Sequence, residues 1–244
     1  MTNDDGGGHP AVCTRYRTDE TEPLWRRLDK ACRRDAPPTV IAYNRIDGPG
    51  STLDLREVQQ SLWTMPARID TTTEMEWSRR QPRTVGISID TGTRIHAEPL
   101  DGDRIGVRST MYDVEVFSDP GKVVPVRENW LLKVIELFGL RGVLLTLTNL
   151  QAGIQSSGLG GSATATVGVC LMCNELAGRP FNATQLIAMA SRLEQDLDVS
   201  VTGTQEQSNV VFGGVTDYLW WPFGVPFKNG GGYGGCNRSR SYVQ

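Results

Sequence analysis

The chain lacks the features on which several large classes of protein depend. Its 244 residues carry a net charge of −3, with arginines scattered among acids, so there is no broad basic surface for nucleic acid. The longest apolar run, around Val143–Leu147, is far too short to span a membrane. Residues Met1–Pro10 are polar and glycine-rich, without the charged and apolar regions of a signal peptide. These absences predict a cytoplasmic protein that binds neither nucleic acid nor membrane.

Cysteine and histidine are too few for a disulfide framework or an ordinary zinc site. The five cysteines are odd in number, and the two histidines, His9 and His96, lie far apart. Cys170 and Cys173 spell a CxxC, but they fall within an apolar helical pattern and have no second ligand pair. We therefore expect both thiols to be reduced and packed in the core.

The apolar pattern predicts an α+β fold with a substantial core, since 39% of the residues are hydrophobic. Apolar residues alternate from Val85 to Val116, separated by turn residues at Asp90–Gly92 and Asp101-Gly102, which predicts a run of antiparallel strands. Downstream, the spacing predicts a helix over Arg127–Phe138, a strand over Val143–Thr148, a helix over Ala163–Ala177 and a helix that begins at the capping residue Asn182.

Composition divides the chain into three parts. Residues 1–64 are a polar, proline-punctuated leader of unknown role, with one short predicted helix, Glu22–Arg33, and an apolar fragment, Thr39–Tyr43. Residues 65–224 contain the predicted domain. Residues 225–244 form a glycine-rich tail with almost no apolar content, and we expect that tail to be disordered.

The most informative segment is the run Ser156-Ser157-Gly158-Leu159-Gly160-Gly161-Ser162-Ala163, which stands directly before a predicted helix. Glycines let the main chain approach a phosphate, serine hydroxyls bind phosphate oxygens or a metal ion, and a helix N-terminus attracts anions. The run therefore predicts a phosphate-binding loop. It is not a Walker A loop, because no lysine occurs between Lys133 and Lys228.

Two other interpretations of the loop remain open. The residues Gly158-x-Gly160-x-x-Ala163 satisfy the minimal dinucleotide-binding fingerprint, but that fingerprint directly follows a strand. The predicted strand ends at Thr148, about ten residues too early for that arrangement. A dinucleotide-dependent oxidoreductase is therefore a distant alternative, and a merely structural glycine-rich turn is another.

Two acidic residues downstream would complete a site for phosphoryl transfer. Such a site needs hard oxygen ligands for a divalent cation and a group that accepts the proton of the attacking hydroxyl. Ser162 stands at the helix start, Glu194 lies beside the apolar face of the next helix, and Glu206 follows 12 residues later. Either acid alone is typical of a solvated surface, so the prediction depends on their combination with the loop.

Together these segments resemble the GHMP superfamily of small-molecule kinases, named for galactokinase, homoserine kinase, mevalonate kinase and phosphomevalonate kinase. That family's second motif reads Gly-Leu-Gly-Ser-Ser-Ala, and residues 158–163 match it except at Gly161. The sugar-kinase branch, with heptose 7-phosphate kinase and fucokinase-like members, carries a Glu, then Gly-x-Gln-Asp-Gln, then Phe-Gly-Gly. Here Glu194, Gly203–Gln207 and Phe212–Gly214 stand at that spacing. The resemblance covers roughly residues 66–224, the GHMP kinase N-terminal-type domain.

The resemblance implies a kinase that uses ATP and Mg²⁺ to phosphorylate the hydroxyl of a sugar or sugar phosphate. It implies a fold like ribosomal protein S5 domain 2, with residues 156–163 holding the triphosphate. Ser162 and Glu194 would bind magnesium, and Glu206 would stand where the family has its catalytic Asp. Pro66–Asp70 looks like the family's opening motif, which would place Arg68 beside the substrate.

Departures from the family pattern keep a second function open. The opening motif continues Gly-Gly-x-Thr-Asp, whereas Thr72–Glu76 follow here, so we expect a changed sugar pocket. Glu206 replaces an aspartate, and the family's C-terminal domain would need about a hundred further residues, so we expect a truncated product. The alternative is a non-catalytic nucleotide- or sugar-phosphate-binding remnant. Apolar surface left by a missing domain would favour homo-oligomers.

Overall fold

Eight strands and five helices make up the described part of the chain in a computed structural model. It describes residues 12–13, 23–55, 58, 83–110, 113–119, 129–151, 159–219 and 240–242. The strands are β1 (Val12–Cys13), β2 (Thr39–Asp47), β3 (Arg83–Pro99), β4 (Ile105–Ser109), β5 (Val114–Ser118), β6 (Val143–Asn149), β7 (Val215–Leu219) and β8 (Arg240–Tyr242). The helices are α1 (Leu24–Arg33), α2 (Trp130–Leu137), α3 (Gly161–Leu176), α4 (Ala183–Asp196) and α5 (Gln205–Phe212).

The described strands form one mixed sheet in the order β1-β2-β3-β6-β4-β5. The long strand β3 also pairs with β7, and β7 pairs with β8. The first part of β3, Arg83–Ile87, pairs with β7, and its last part, Thr93–Pro99, pairs with β6. The α+β prediction is confirmed, and three residues of the segment expected to be disordered form β8.

Two details of the predicted strands were wrong. Asp90–Gly92, predicted as a turn, lies inside β3. Tyr43 pairs with Gly92, and Arg45 pairs with Ser88. Between these two pairs β2 has one residue and β3 has three, so the two extra residues of β3 form a bulge. The sheet is also not wholly antiparallel, because β4 and β6 are parallel. The chain reaches β6 through β5 and α2, and a parallel pair needs such a crossover connection.

Residues 1–64, for which the sequence indicated no role, contain the strand β2. This is an interior strand of the sheet, because β2 lies between β1 and β3. Its residues Val40 and Ala42 are fully buried, as are Ile95 and Ala97 of β3. These side chains share one core with α3, which contacts both strands and also α2, α4 and α5. The helix α3 is therefore the central helix of the domain, and its N-terminus is fixed relative to all these elements.

The predicted helices are confirmed with small shifts in their ends. Asn182 and Gln185 form a capping box at the start of α4, with their two bonds at 3.0 and 2.9 Å. Cys170 and Cys173 of α3 are fully buried, and burial raises the pKa of Cys170 to about 12 and that of Cys173 well above its usual value. Both thiols are core residues, as expected, and stay protonated. Within the described ranges, no helix has the length and apolar character needed to cross a membrane.

Gly86 of β3 lets the sheet approach α5 closely. A Cβ atom at this position would lie 1.8 Å from Nδ2 of Asn209. Asn209 is fully buried, and its Oδ1 accepts a hydrogen bond of 2.9 Å from the Tyr218 hydroxyl. We expect Gly86→Ala to lower the free energy of unfolding by about 2 kcal/mol, because the methyl group displaces Asn209 and breaks this bond.

Urea denaturation of the two proteins measures this difference. Gly161→Ala is the matched control, because among the described residues no atom beyond its chain neighbours and the backbone of its own helix lies within 4 Å of the added Cβ, and it should not destabilise the protein. Equal stabilities of the Gly86→Ala variant and the unmodified protein would contradict the packing of α5 on β3.

Candidate active site

The N-terminus of α3 has the features of an anion site. The residue before its first turn, Gly160, has a φ of 76°, in the left-handed region that glycine tolerates. Gly160 has no side chain to cap the first turn, and that turn contains no acidic residue. The backbone N–H groups and the helix dipole therefore favour a negatively charged ligand at this end.

The structure describes five of the eight residues of the predicted phosphate loop. Leu159, Gly160, Gly161, Ser162 and Ala163 lead into α3, with Ala163 fully buried in the core. The remaining three loop residues lie outside the described residues, namely Ser156, Ser157 and Gly158. A strand that ends at Asn149 and a helix that begins at Gly161 also do not fit the direct strand-to-helix turn of a dinucleotide fingerprint.

Glu194 of α4 points at the first turns of α3, as its position in the sequence predicted. The carboxylate is fully buried and accepts hydrogen bonds from Gln207 Nε2 at 2.6 Å and Thr166 Oγ1 at 3.1 Å. The Ser162 hydroxyl is near enough to lower the pKa of this carboxylate. Ser162 and Glu194 are thus brought together, and the partners of this buried carboxylate among the described residues are neutral side chains.

Burial raises the pKa of Glu194 from 4.5 to about 7, against the opposing effect of the hydrogen bonds from Gln207, Thr166 and Ser162. The folded protein therefore holds this proton more tightly than the unfolded chain. Its contribution to stability is present below pH 4.5 and is lost as the pH rises to about 7. We expect a loss of about 3 kcal/mol over this range in metal-free buffer.

Unfolding by urea at a series of pH values, without divalent cations, tests this expectation. Glu194→Gln should remove this share of the pH dependence, because an amide does not titrate. A variant with the same slope as the unmodified protein would contradict the assignment.

Glu194 is also held by a series of hydrogen bonds that runs from α2 through α3 and that the sequence did not predict. Trp130 Nε1 of α2 donates to Thr166 Oγ1 at 3.1 Å, and Thr166 contacts Glu194. Thr166 also lies 2.9 Å from the carbonyl oxygen of Ser162. The only signal in the sequence was the position of Thr166 one turn after Ser162.

Glu206 of α5 is ion-paired with Arg45 of β2. The Arg45 side chain is 4% exposed, and its Nη2 also lies 3.0 Å from Oδ2 of Asp47. Burial raises the pKa of Glu206, Arg45 opposes this effect, and the charges of Asp47 and Asp54 reinforce it. One guanidinium therefore faces an excess of carboxylates, and Glu206 binds a proton more readily than an ordinary glutamate.

Arg45 also touches the phosphate loop. A Cβ atom on Gly160 would lie 2.8 Å from Arg45 Nη1, and the backbone N–H of Arg45 donates to the carbonyl oxygen of Leu159 at 3.4 Å. Among the described atoms, Arg45 Nε is buried and has no hydrogen-bond partner. Arg45 therefore places Glu206 next to the N-terminus of α3.

The loop after β2 holds the start of α5. Asp54 Oδ2 accepts a hydrogen bond of 3.0 Å from the backbone N–H of Gln205, and Gln205 Nε2 donates to Asp47 Oδ1 at 2.8 Å. Asp54 thus caps a helix whose N-cap residue, Thr204, makes no side-chain cap. The first turn of α5, with Glu206, is fixed to the end of β2.

Arg45 is the main site residue that the sequence analysis missed. The tripeptide Arg-Ile-Asp occurs twice, at residues 45–47 and at 68–70, and only the second was assigned to the opening motif. Glycines at positions 48 and 50, then Thr52 and Asp54, follow the first copy. Arg68 lies outside the described residues, so the first copy is the one seen beside Glu206.

The donor set fits Mg²⁺ with nucleotide phosphates as further ligands. Mg²⁺ is usually held by one or two carboxylates together with substrate phosphates and waters. Ser162 and Glu194 supply hard oxygens, and a buried carboxylate with neutral partners favours a nearby cation. No cluster of three or more acidic, histidine or cysteine side chains that could hold a metal by itself occurs in the described part of the chain.

An apolar cleft lies beside the N-terminus of α2. Its lining comes from β4, β5 and the first turn of α2 and includes Val107, Ser109, Val114, Val116, Trp130 and Leu131. Through Trp130 and Thr166 this cleft is connected to Glu194.

The family comparison agrees with this arrangement. Residues 129–214 match the family model described as the GHMP kinases N terminal domain. These residues are therefore similar in sequence to the N-terminal domain of GHMP kinases. Ser162, Glu194 and Glu206 all lie within the matched residues, and the resemblance drawn from the sequence motifs is confirmed. No curated protein is significantly similar to the chain in sequence.

Solved GHMP kinases have the same fold. A D-glycero-D-manno-heptose 1-phosphate kinase from Bacteroides thetaiotaomicron superimposes with a TM-score of 0.54 at 16% identity, over 75% of this chain and 56% of that one. The mevalonate kinase of Methanococcus jannaschii gives 0.54 at 12% identity, over 76% and 54%. The galactokinase of Lactococcus lactis, complexed with galactose, gives 0.54 at 14% identity, over 81% and 48%. The chain thus spans about half the length of the structures that it matches.

Proposed function

We propose that this protein phosphorylates a hydroxyl group of a sugar or sugar phosphate, with ATP as the phosphate donor and Mg²⁺ as the cofactor. The observation that carries the proposal is the position of Arg45, which contacts both Glu206 and Gly160, the residue before α3. A candidate proton acceptor thereby lies next to a candidate phosphate site. Phosphoryl transfer requires these two groups side by side.

The phosphates of the nucleotide would lie against the backbone N–H groups of Gly161 and Ser162, at the start of α3. The unpartnered Nε of Arg45 supplies a further donor for a phosphate oxygen. Ser156, Ser157 and Gly158 remain proposed members of the same loop.

Ser162 and Glu194 would hold Mg²⁺. Bound there, the ion would neutralise the charge that develops on the transferred phosphate. Glu194 is already oriented by two hydrogen bonds, so no rearrangement of its side chain is needed to define the ligand.

Glu206 would accept the proton of the attacking hydroxyl. Its raised pKa brings it closer to the working pH, where a general base is most effective. Arg45 would orient Glu206 and keep it ionised. Arg68, outside the described residues, remains a proposed substrate contact from the sequence analysis.

The proposal that the acceptor is a sugar rests on sequence motifs more than on similarity of fold. A mevalonate kinase and a galactokinase superimpose on this chain with equal TM-scores. The segments that favour a sugar kinase are Gly203–Gln207 and Phe212–Gly214, which follow Glu194 at the spacing of that branch. A cytoplasmic location and homo-oligomer formation remain predictions.

A non-catalytic nucleotide- or sugar-phosphate-binding protein is the second candidate. The ion pair of Glu206 with Arg45 favours it, because Arg45 opposes the rise in the pKa of Glu206 and makes this carboxylate a weaker proton acceptor than burial alone would make it. The substitution of glutamate for the family's aspartate points the same way. This candidate predicts binding of ATP without turnover.

Two experiments separate the candidates. The first is calorimetric titration with ATP, with and without Mg²⁺, and the second is an assay of phosphate transfer to a panel of sugars and sugar phosphates. Saturable Mg²⁺-dependent binding and phosphate transfer to any of these acceptors would support the kinase. Binding without transfer would favour the second candidate, and an absence of saturable binding would exclude both.

A further inference from the structure

Gln207 lies one residue after Glu206 on α5, but its side chain contacts a different carboxylate. Its Nε2 donates to Oε2 of Glu194 at 2.6 Å and to Oγ1 of Thr202 at 3.1 Å. Gln207 is fully buried and belongs to the first turn of its helix. Both hydrogen atoms of the amide are therefore used, and the side chain has one defined orientation.

We propose that Gln207 is a positioning residue that fixes the Glu194 carboxylate for the metal and keeps it in register with Glu206. This inference rests on the proposed function. In the sequence, Gln207 stands out only as the last residue of the Gly203–Gln207 motif, which gives it no task of its own.

The contacts of Glu194 show how the carboxylate is held. Gln207 binds Oε2 and Thr166 binds Oε1, so the two oxygens are fixed by donors from different helices. Hydrogen bonds to both oxygens of a carboxylate define the plane of the group as well as its position. The Ser162 hydroxyl lies near enough to lower the pKa of the same group, so the two candidate ligands are neighbours before any ion binds. Removing a second-sphere donor of this kind is known to weaken metal sites about tenfold or more.

The start of α5 connects this carboxylate to the proposed proton acceptor. Three consecutive residues there bind three different partners, because Gln205 binds Asp47, Glu206 binds Arg45 and Gln207 binds Glu194. Residues 205 and 206 attach the helix to β2, and residue 207 attaches it to α4. A helix held on both sides fixes the separation of the two acidic groups.

The oxygen of the Gln207 amide supports a task beyond packing. Among the described residues, Gln207 Oε1 is buried without a hydrogen-bond partner, which costs free energy in a core position. An apolar residue of the same length would avoid this cost. The amide is therefore best explained by what its Nε2 holds, namely Glu194 and Thr202.

The test compares Gln207→Met, which keeps the length and removes the donor, with Gln207→Asn, which keeps an amide but is one methylene shorter. Ser208→Ala is the matched control, because Ser208 is buried on the same helix and its hydroxyl bonds only to the carbonyl oxygen of Thr204. The dissociation constant of ATP is measured by calorimetry, with Mg²⁺ and with EDTA, on the full chain. We expect both Gln207 variants to bind Mg²⁺-ATP about tenfold more weakly, with unchanged binding of metal-free ATP.

A purely structural role would give a different result. It would weaken both forms of ATP equally, or lower the unfolding midpoint alone, as Ser208→Ala is expected to do slightly. In the background of Glu194→Gln, the change at position 207 should have no further effect on the metal dependence, because the residue it positions is already altered.

The outcomes separate this inference from the proposed function. If the unmodified protein requires Mg²⁺ for tight ATP binding and the variants keep that requirement unchanged, Gln207 is not a positioning residue and the kinase proposal stands. If the unmodified protein binds ATP equally with and without Mg²⁺, the metal site and this inference both fail. Should Gln207→Met not fold, an unchanged metal dependence in Gln207→Asn would by itself overturn the inference.

Discussion

An Arg45→Met variant should lose about 3 kcal/mol of unfolding free energy at neutral pH and more than a hundredfold in turnover. Arg45 is buried, and its guanidinium binds both Glu206 and Asp47. Without it, these two carboxylates face each other in a partly buried site, where burial already raises the pKa of each. Glu206 also loses the group that orients it beside the start of α3.

The pH dependence of this loss identifies its cause. Arg45 lowers the pKa of both Asp47 and Glu206 in the folded protein, so its removal raises both values further. Protonation at acidic pH then relieves the repulsion, and the variant should regain stability relative to the unmodified protein as the pH falls. Urea unfolding at pH 4.5 and pH 7.5 measures the two differences.

Arg83→Met is the control for the loss of an arginine from the same sheet. Arg83 pairs with Asp217 at 3.0 Å, but its side chain is half exposed. An exposed pair contributes at most about 1 kcal/mol, and turnover should not change. If Arg45→Met were no more destabilising than Arg83→Met, the buried ion-pair cluster would not be the element that holds β2 against α5.

A Glu206→Gln variant should reduce turnover about 10²–10⁴-fold while its affinity for Mg²⁺-ATP stays the same. The amide keeps an oxygen that can accept from Arg45 but cannot take the proton of the attacking hydroxyl. The proposed metal ligands Ser162 and Glu194 are untouched, so nucleotide binding should persist. Stability should not fall, because the substitution removes one of several carboxylates around a single arginine.

Steady-state kinetics on the best acceptor and calorimetry with Mg²⁺-ATP provide the two measurements. Glu115→Gln, which changes an exposed carboxylate on β5 paired with Arg108, is the control and should leave both quantities unchanged. Full turnover in Glu206→Gln would remove Glu206 from the mechanism. Glu206→Asp addresses the second candidate function, because turnover that appears only in this variant would show that the glutamate had made the site non-catalytic.

Much of the site was predictable because it depends on local patterns. The glycines before α3, the serine at its first turn and the two downstream acids stand at fixed spacings on consecutive elements. Helices that follow one another along the chain and share a core bring such residues together. The pairing of Ser162 with Glu194 was implied by the resemblance to GHMP kinases, whereas the helix α5, which places Glu206 in its first turn, was not predicted.

Arg45 was not predictable in the same way. It lies 161 positions from Glu206 along the chain, in a segment whose polar and proline-rich flanks suggested no role. Its strand carries only a short apolar fragment, and the second copy of Arg-Ile-Asp, at 68–70, fitted the family pattern equally well. Only the register of β2 against β3, with its bulge next to Arg45, brings this side chain to the phosphate loop.

The sequence by itself determined the class of fold, the glycine-rich start of α3 and the order of the candidate ligands, because apolar periodicity, glycine conformation and capping act over a few residues. The tertiary structure decided which arginine accompanies Glu206 and how Gln207 and Thr166 hold Glu194. It also decided that β3 is one continuous strand. These are contacts between residues distant in sequence, and they depend on strand register and helix packing, which local patterns do not encode.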